Sequence, residues 1–229
     1  SLYNWLSFSE EDFNTARKKL NQMDNRFVNL KKIQNIFLHC FYKSPATDST
    51  FDKLVSNDKT DFSRYYYFYG VYLVKTKNQN KASKVLDYAL NDHPRNLLLN
   101  QLKQDLEEDK LKLKFNCENK SDVIAEILYV TANALSSQNF YNFSNFYINV
   151  SKYLNKDFYS YDNLLAENLY EIENYKRAKK IYRDMGKNSE IYNWHATKQI
   201  SKILIKENKE KEALKLTTKS YDKLTKKTI

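Results

Sequence analysis

The chain has 229 residues, 41% of them hydrophobic and 15% aromatic, and 38 Lys and Arg against 28 Asp and Glu give it a formal net charge of +10. That is enough apolar material for a sizeable core and speaks against any long disordered stretch. Two glycines and two prolines in all leave little for hairpin turns, phosphate-cradling loops or a dinucleotide fingerprint. In chain order, Ser9-Glu10-Glu11-Asp12 opens a helix to about Met23, with Ser9 as the cap and the acids at the positive end of the helix dipole. A second helix is predicted from Arg26 to Tyr42, a loop from Ser44 to Asp48 around Pro45, and a short helix near Phe51–Ser56. A helix pair fills 63–96, one long helix follows over Leu97–Leu113, and Asn116–Ser121 is a linker. Ser121 or Asp122 caps the helix that opens three more pairs. No run of 18 apolar residues is present to span a membrane. The chain opens on Ser1 rather than Met, which reads as a fragment or processed form of a soluble protein of the cytoplasm or periplasm. Cys40 and Cys117 read as reduced and partly buried, a disulfide between them being the less supported alternative.

A 34-residue period organises the chain. From Ser63, Tyr66 stands at position 4, Tyr69 at 7, Gly70 at 8, Leu73 at 11, Ala82 at 20, Leu86 at 24, Ala89 at 27 and Pro94 at 32. From Ala125 the same offsets give Leu128, Ala132, Leu135, Ser144, Ile148 and Ser151, and from Tyr159 they give Leu165, Ala166, Leu169, Ala178, Tyr182 and Met185. After one inserted residue, Trp194 starts a fourth unit with Ser201, Leu204, Ala213 and Ser220. These spacings resemble the tetratricopeptide repeat, in which helices A and B of each unit cross closely and small residues sit at positions 8, 20 and 27. The predicted architecture is an all-α, α-α superhelix: a single tetratricopeptide-like solenoid of antiparallel helix pairs over 1–229. It would comprise degenerate repeats over 1–62, a repeat over 63–96, a long helix and linker over 97–120, and repeats over 125–158, 159–192 and 194–227.

Several segments resemble, more narrowly, the C-terminal part of an uncharacterised tetratricopeptide family of alphaproteobacteria. Ser121-Asp122-Val123-Ile124-Ala125-Glu126-Ile127-Leu128 is similar to its opening motif, Leu164-Leu165-Ala166-Glu167 to its Leu-Leu-Ala motif, and Asn188-Ser189-Glu190-Ile191-Tyr192 to its Ser-Pro-Tyr turn. Tyr153-Leu154-Asn155-Lys156-Asp157 departs from the family's Leu-x-Pro-Asp at the proline. The resemblance implies a scaffold with no catalytic residue.

Neither catalytic nor metal-binding constellations are legible. His39 and Cys40 are adjacent and point about 100° apart on a helix; His93 and His195 have no Cys or His partner at i+4. Glu107-Glu108-Asp109 reads as a solvated face. No enzyme activity, cofactor or metal is therefore expected, and the predicted function is the binding of a protein or peptide on the concave face lined by helix A. Positions 2, 5, 9 and 12 supply the candidates Arg64, Tyr67, Val71, Tyr129, Asn133, Asn163, Glu167, Tyr170, Lys198 and Lys202, together with Val74, Glu126, Ser136, Ser160, His195 and Ile205. Asparagines suit a peptide backbone and tyrosines offer rigid contact area. In the run Tyr65-Tyr66-Tyr67-Phe68-Tyr69, Tyr66 and Tyr69 hold core positions, leaving Tyr65 and Tyr67 as the residues that would be exposed for stacking, with core packing preferred. Trp194 is expected to pack on Tyr192 or the preceding repeat. The alternative function is electrostatic: residues 195–229 carry ten lysines, the last two being Lys226 and Lys227, against four acids, a surface for nucleic acid or anionic lipid. A third partner is a second copy of the chain, joined through an uncapped end of the solenoid.

Overall fold

The computed structural model describes residues 2–57 and 59–224, the side chains of residues 2, 3 and 9 excepted. Among the described residues the chain is all-α, with thirteen α-helices and no strand. They are α1 (Leu2–Ser7), α2 (Phe13–Asn21), α3 (Val28–Phe41), α4 (Thr47–Val55), α5 (Ser63–Lys75), α6 (Gln79–Asp92), α7 (Leu97–Glu107), α8 (Lys120–Ser137), α9 (Tyr141–Leu154), α10 (Ser160–Glu171), α11 (Tyr175–Met185), α12 (Glu190–Lys206) and α13 (Glu210–Tyr221). Two compact units divide the chain: unit 1 holds 1–130 and 153–157, unit 2 holds 131–152 and 158–229. Neighbouring helices pack as pairs, α3 with α4 and α5 with α6 in unit 1, α10 with α11 and α12 with α13 in unit 2.

One turn recurs between helix A and helix B. In the pairs that begin with α5, α8, α10 and α12, position 15 of the repeat is left-handed: Lys77 (φ 60°), Asn139 (64°), Glu173 (58°) and Asn208 (58°). In each, the backbone N–H of the next residue donates to the carbonyl of the position-11 leucine: Asn78 to Leu73 (2.8 Å), Phe140 to Leu135 (2.9 Å), Asn174 to Leu169 (2.8 Å) and Lys209 to Leu204 (2.9 Å). This closure satisfies a carbonyl that the helix end leaves without a partner. The same turn closes α3 at Lys43 (φ 52°), with Ser44 N–H on His39 O at 2.9 Å, and Lys43 stands 34 residues before Lys77. The pair α3–α4 is thus in phase although its small residues have been lost.

Small residues sit where helices A and B press together. A Cβ on Gly70 would lie 2.9 Å from Leu102 Cδ2 and 3.4 Å from Leu86 Cδ2. Ala132, Ala166, Ala82, Ser144, Ala178 and Ala89 are wholly buried. Side-chain hydroxyls also lock helices within and between pairs: Ser144 Oγ donates to Ala132 O at 2.8 Å within the α8–α9 pair, and Ser136 Oγ donates to Asn168 Oδ1 of α10 at 2.5 Å. Asn168 Nδ2 in turn donates to Ser144 Oγ (2.7 Å) and Asn145 Oδ1 (2.9 Å), so this buried amide is satisfied at both ends.

Unit 1 departs from the expected pattern at α7. The long helix predicted to Leu113 stops at Glu107, because Asp109 is left-handed (φ 52°) and Lys110 N–H closes on Asp105 O at 2.9 Å. The helix-A turn is therefore present, but an irregular strap over 110–119 replaces helix B. The strap is held by its apolar residues: Phe115 is buried with its ring 4.5 Å from that of Phe68 and 5.4 Å from that of Phe37. Cys117 is joined to Cys40 at the end of α3 by a disulfide with a Cα–Cα distance of 5.8 Å, which corrects the expectation of two reduced thiols. Sequence separation of 77 residues hid the pairing, since only the strap's path brings the two together. Helix starts are also corrected. Asp12, accepting from Asn14 N and Thr15 N, caps α2, and the expected cap Ser9 lies outside the described side chains. Asn119 Oδ1 accepts from Ser121 N–H at 2.9 Å at the start of α8, leaving Asp122 to accept from Asn116 N–H at 2.8 Å. The N-terminal segment folds as α1, not foreseen, with Trp5 buried and its Nε1 donating to Gln34 Oε1 at 3.1 Å.

A left-handed conformation costs a non-glycine residue about 1 kcal/mol. Glu173→Gly should therefore raise stability by up to about 1 kcal/mol, a rise in melting temperature of about 2–4 °C, whereas Lys180→Gly, inside α11, should lower it. Thermal unfolding followed by circular dichroism reads both.

Candidate functional site

The sequence-predicted residues separate into two groups with different surroundings. In unit 1, α5 and the first half of α8 turn the expected binding positions toward each other. Arg64 Nε donates to Glu126 Oε1 (2.7 Å) and Arg64 Nη2 to Glu126 Oε2 (2.8 Å), with the Glu126 side chain fully buried. The guanidinium lies 4.0 Å from the centroid of the Tyr129 ring and 5.6 Å from that of Phe68. Planar stacking and a forked ion pair engage Arg64 on its face and edge together. Tyr67 and Val71, further along α5, are buried and present no surface to a partner. All five members of the run Tyr65–Tyr69 are buried, as the preferred core packing expects, and Tyr65 and Tyr67 are not exposed for stacking.

In unit 2 Ser160 is buried and offers no surface, while the other helix-A positions keep some exposure and several are linked across two helices. Asn163 on α10 donates through Nδ2 to Glu167 Oε1 (2.8 Å), which leaves its Oδ1 to accept from His195 Nε2–H on α12 at 2.7 Å. One turn along, Lys202 Nζ sits 4.3 Å from the centroid of the Tyr170 ring, an arrangement in which the ring's quadrupole holds the cation. Lys198 Nζ lies 5.8 Å over Trp194. Trp194 itself pairs with Tyr221 of α13 at 6.1 Å, not with Tyr192, whose ring faces Tyr159 at 6.4 Å. Asn133 on α8 is exposed, as are Lys198 and Lys202. His195 was among the facing positions; its link to Asn163 has no signature in a single sequence.

Electrostatics follow from this packing. Burial pushes the pKa of His195 down to about 4, and the neighbouring Lys198 adds to the shift. The imidazole is therefore neutral at pH 7, consistent with one N–H donated to Asn163. Glu167 has an exposed outer surface, yet protein around its carboxyl raises its pKa, opposed by the Asn163 hydrogen bond and the Lys202 charge. The lysines of this end are partly committed: Lys179 and Lys209 both pair with Glu207, at 2.6 and 3.2 Å. Lys211, Lys215, Lys219 and Lys223 on and after α13 are exposed, while Lys226 and Lys227 lie outside the described residues. No helix among the described residues is long and apolar enough to cross a membrane.

No protein-family model matches the chain, and no curated protein does. Among solved structures it is similar to one described as "MamA MSR-1 C2", with 13% identity and a TM-score of 0.37 over 87% of this chain and 97% of that one. A point mutant of MamA gives 12% identity and a TM-score of 0.34 over 87% and 99%. Likeness at this level assigns neither a family nor a partner.

Two predictions come from these clusters. Arg64→Leu removes the cation from a buried carboxylate and should cost about 3–5 kcal/mol in denaturant unfolding, and most of that loss should return in Arg64→Leu/Glu126→Leu. For His195, the folded-state pKa of about 4 lies below the ordinary 6.5, so the unfolded chain binds the extra proton between those values and stability falls as pH drops from 6.5 to 4. At about 1.4 kcal/mol per unit the loss is on the order of 3 kcal/mol. His195→Gln, which keeps a donor for Asn163, should flatten that part of the pH–stability curve relative to the parent chain.

Proposed function

We propose that the chain is a non-enzymatic scaffold that holds a protein or peptide partner on the helix-A face of unit 2. The observation that carries this reading is the pair of bridges between α10 and α12, Asn163–His195 and Tyr170–Lys202. They fix polar and aromatic side chains of two successive repeats in one orientation at the surface. Asn163 has two N–H donors and Glu167 takes one of them, which leaves the other for a peptide carbonyl. Lys198 and Lys202 supply positive charge for a carboxylate, and Tyr170 offers a rigid ring whose ordering costs little entropy. Asn133, Asn163, Glu167, Tyr170, His195, Lys198 and Lys202 form the proposed surface, and Arg64, Tyr67, Val71 and Tyr129 belong to the packing of unit 1. Contacts of this kind commonly reach micromolar affinity, about −8 kcal/mol.

The electrostatic alternative rests on the exposed lysines of α13, which surround Leu214, itself 70% exposed. Affinity capture with the parent chain, Tyr170→Ala/Lys202→Glu and Lys211→Glu/Lys215→Glu separates the two. Under the proposal, proteins retained by the parent are lost, at least tenfold, from the first variant and kept by the second. Retention that survives the first variant, falls steeply with salt and is lost in the second overturns the proposal in favour of charge binding.

A further inference from the structure

Helix α9 carries a second seam on the side away from its own core. Its buried residues are Ser144, Ile148 and Ser151, which fall on one face at spacings of four and three. On the opposite side Phe143 is 66% exposed, Phe146 63% and Tyr153 76%, with the partly exposed Val150 between them. Residues 143, 146, 150 and 153 follow the three-four spacing by which one helix presents knobs to another. Globular helices rarely place three aromatic rings in register on a solvent face, and contiguous exposed apolar area of this kind marks an interaction site.

We infer that this seam pairs two copies of the chain, α9 against α9. The flanking residues select the occupant. Positions beside the seam are Asn142 and Asn149 on one edge and Tyr147 and Leu154 on the other, so neither edge carries the charge by which paired helices choose an oppositely charged partner or reject a copy of themselves. The molecule as a whole is at +10, yet this strip is neutral and self-complementary, as a two-fold interface requires. Area agrees. The three rings expose about 400 Å² per copy at ordinary aromatic sizes. Doubled, and with the flanking side chains of α9 added, the covered surface reaches about 1,000 Å², the lower bound for a specific association. The seam lies opposite the face by which α9 packs on its own repeat, so pairing leaves that packing intact. It also involves none of the residues of the proposed partner surface, and stands or falls independently of it.

Sedimentation equilibrium of the full 229-residue chain between about 1 and 100 µM tests the inference. The expected result is a reversible dimer whose dissociation constant rises roughly 100-fold in Phe143→Asn/Phe146→Asn, with the helical circular dichroism and melting temperature of dilute protein unchanged. Phe140→Asn, off the seam although its residue is 53% exposed, should leave the dimer in place and controls for a general loss of apolar surface. A parent chain that stays monomeric at 100 µM overturns the inference, as does a dimer equally strong in the double variant.

Discussion

Helices α3, α5, α7, α8, α10 and α12, once formed, face the same problem: their last carbonyls point out of the helix with no partner within it. The solution is one residue in the left-handed region and a backbone N–H turned back onto the carbonyl five residues earlier. That closure sets the angle at which helix B leaves, and the angle decides which residues of helix A meet helix B. Position 8 is then so enclosed that only a small residue fits: a Cβ on Gly70 would lie 3.4 Å from Leu86 Cδ2 of helix B and 2.9 Å from Leu102 Cδ2 of α7. The repeat is therefore as much a repeated turn as a repeated core, and the face of helix A opposite helix B is left to other uses.

Those uses differ between the units. In unit 1 the helix-A face of α5 is covered by α8, and its charge is neutralised internally by the Arg64–Glu126 pair beneath Tyr129. The cause lies in α7, which has a helix-A turn at Asp109 but no helix B; the strap that follows instead inserts Phe115 against α3 and α5 and bonds Cys117 to Cys40. A covalent link closing so long a loop contributes about 4 kcal/mol by restricting the unfolded chain. In unit 2 the same helix-A positions of α10 and α12, Ser160 excepted, keep exposure and are tied to each other through Asn163 and His195.

The legibility of these features in the sequence follows their range. Position-8, position-20 and position-27 residues such as Ala132, Ser144 and Ala89 were readable because short-range periodicity encodes helix–helix packing. The one-residue insertion before Trp194 reappears in the turns, where Asn208 follows Glu173 by 35 residues and Glu173 follows Asn139 by 34. The in-phase turn at Lys43 was not readable, because the small residues that mark the repeat are absent from α3 and α4 while the backbone closure persists. The disulfide and the end of α7 escaped for another reason: both depend on where an irregular strap runs. For the binding positions, spacing placed residues on the correct face of each helix but said nothing about what covers that face. Thus Tyr67 and Val71 share their repeat positions with Asn163 and Glu167 yet lie in a core.

A left-handed closure ends each of these six helices, 34 residues apart from Lys43 to Lys77 and from Asn139 to Glu173, including where the small-residue packing signature is absent. It persists at Asp109, 32 residues after Lys77, where helix B is replaced. Backbone φ angles from solution NMR chemical shifts and coupling constants measure it directly. Positive φ at Lys43, Lys77, Asp109, Asn139, Glu173 and Asn208, with the intervening residues of each helix A negative, is the expected result. Helical φ values running through Lys43 or Asp109, or positive φ displaced by several residues from these positions, would contradict it.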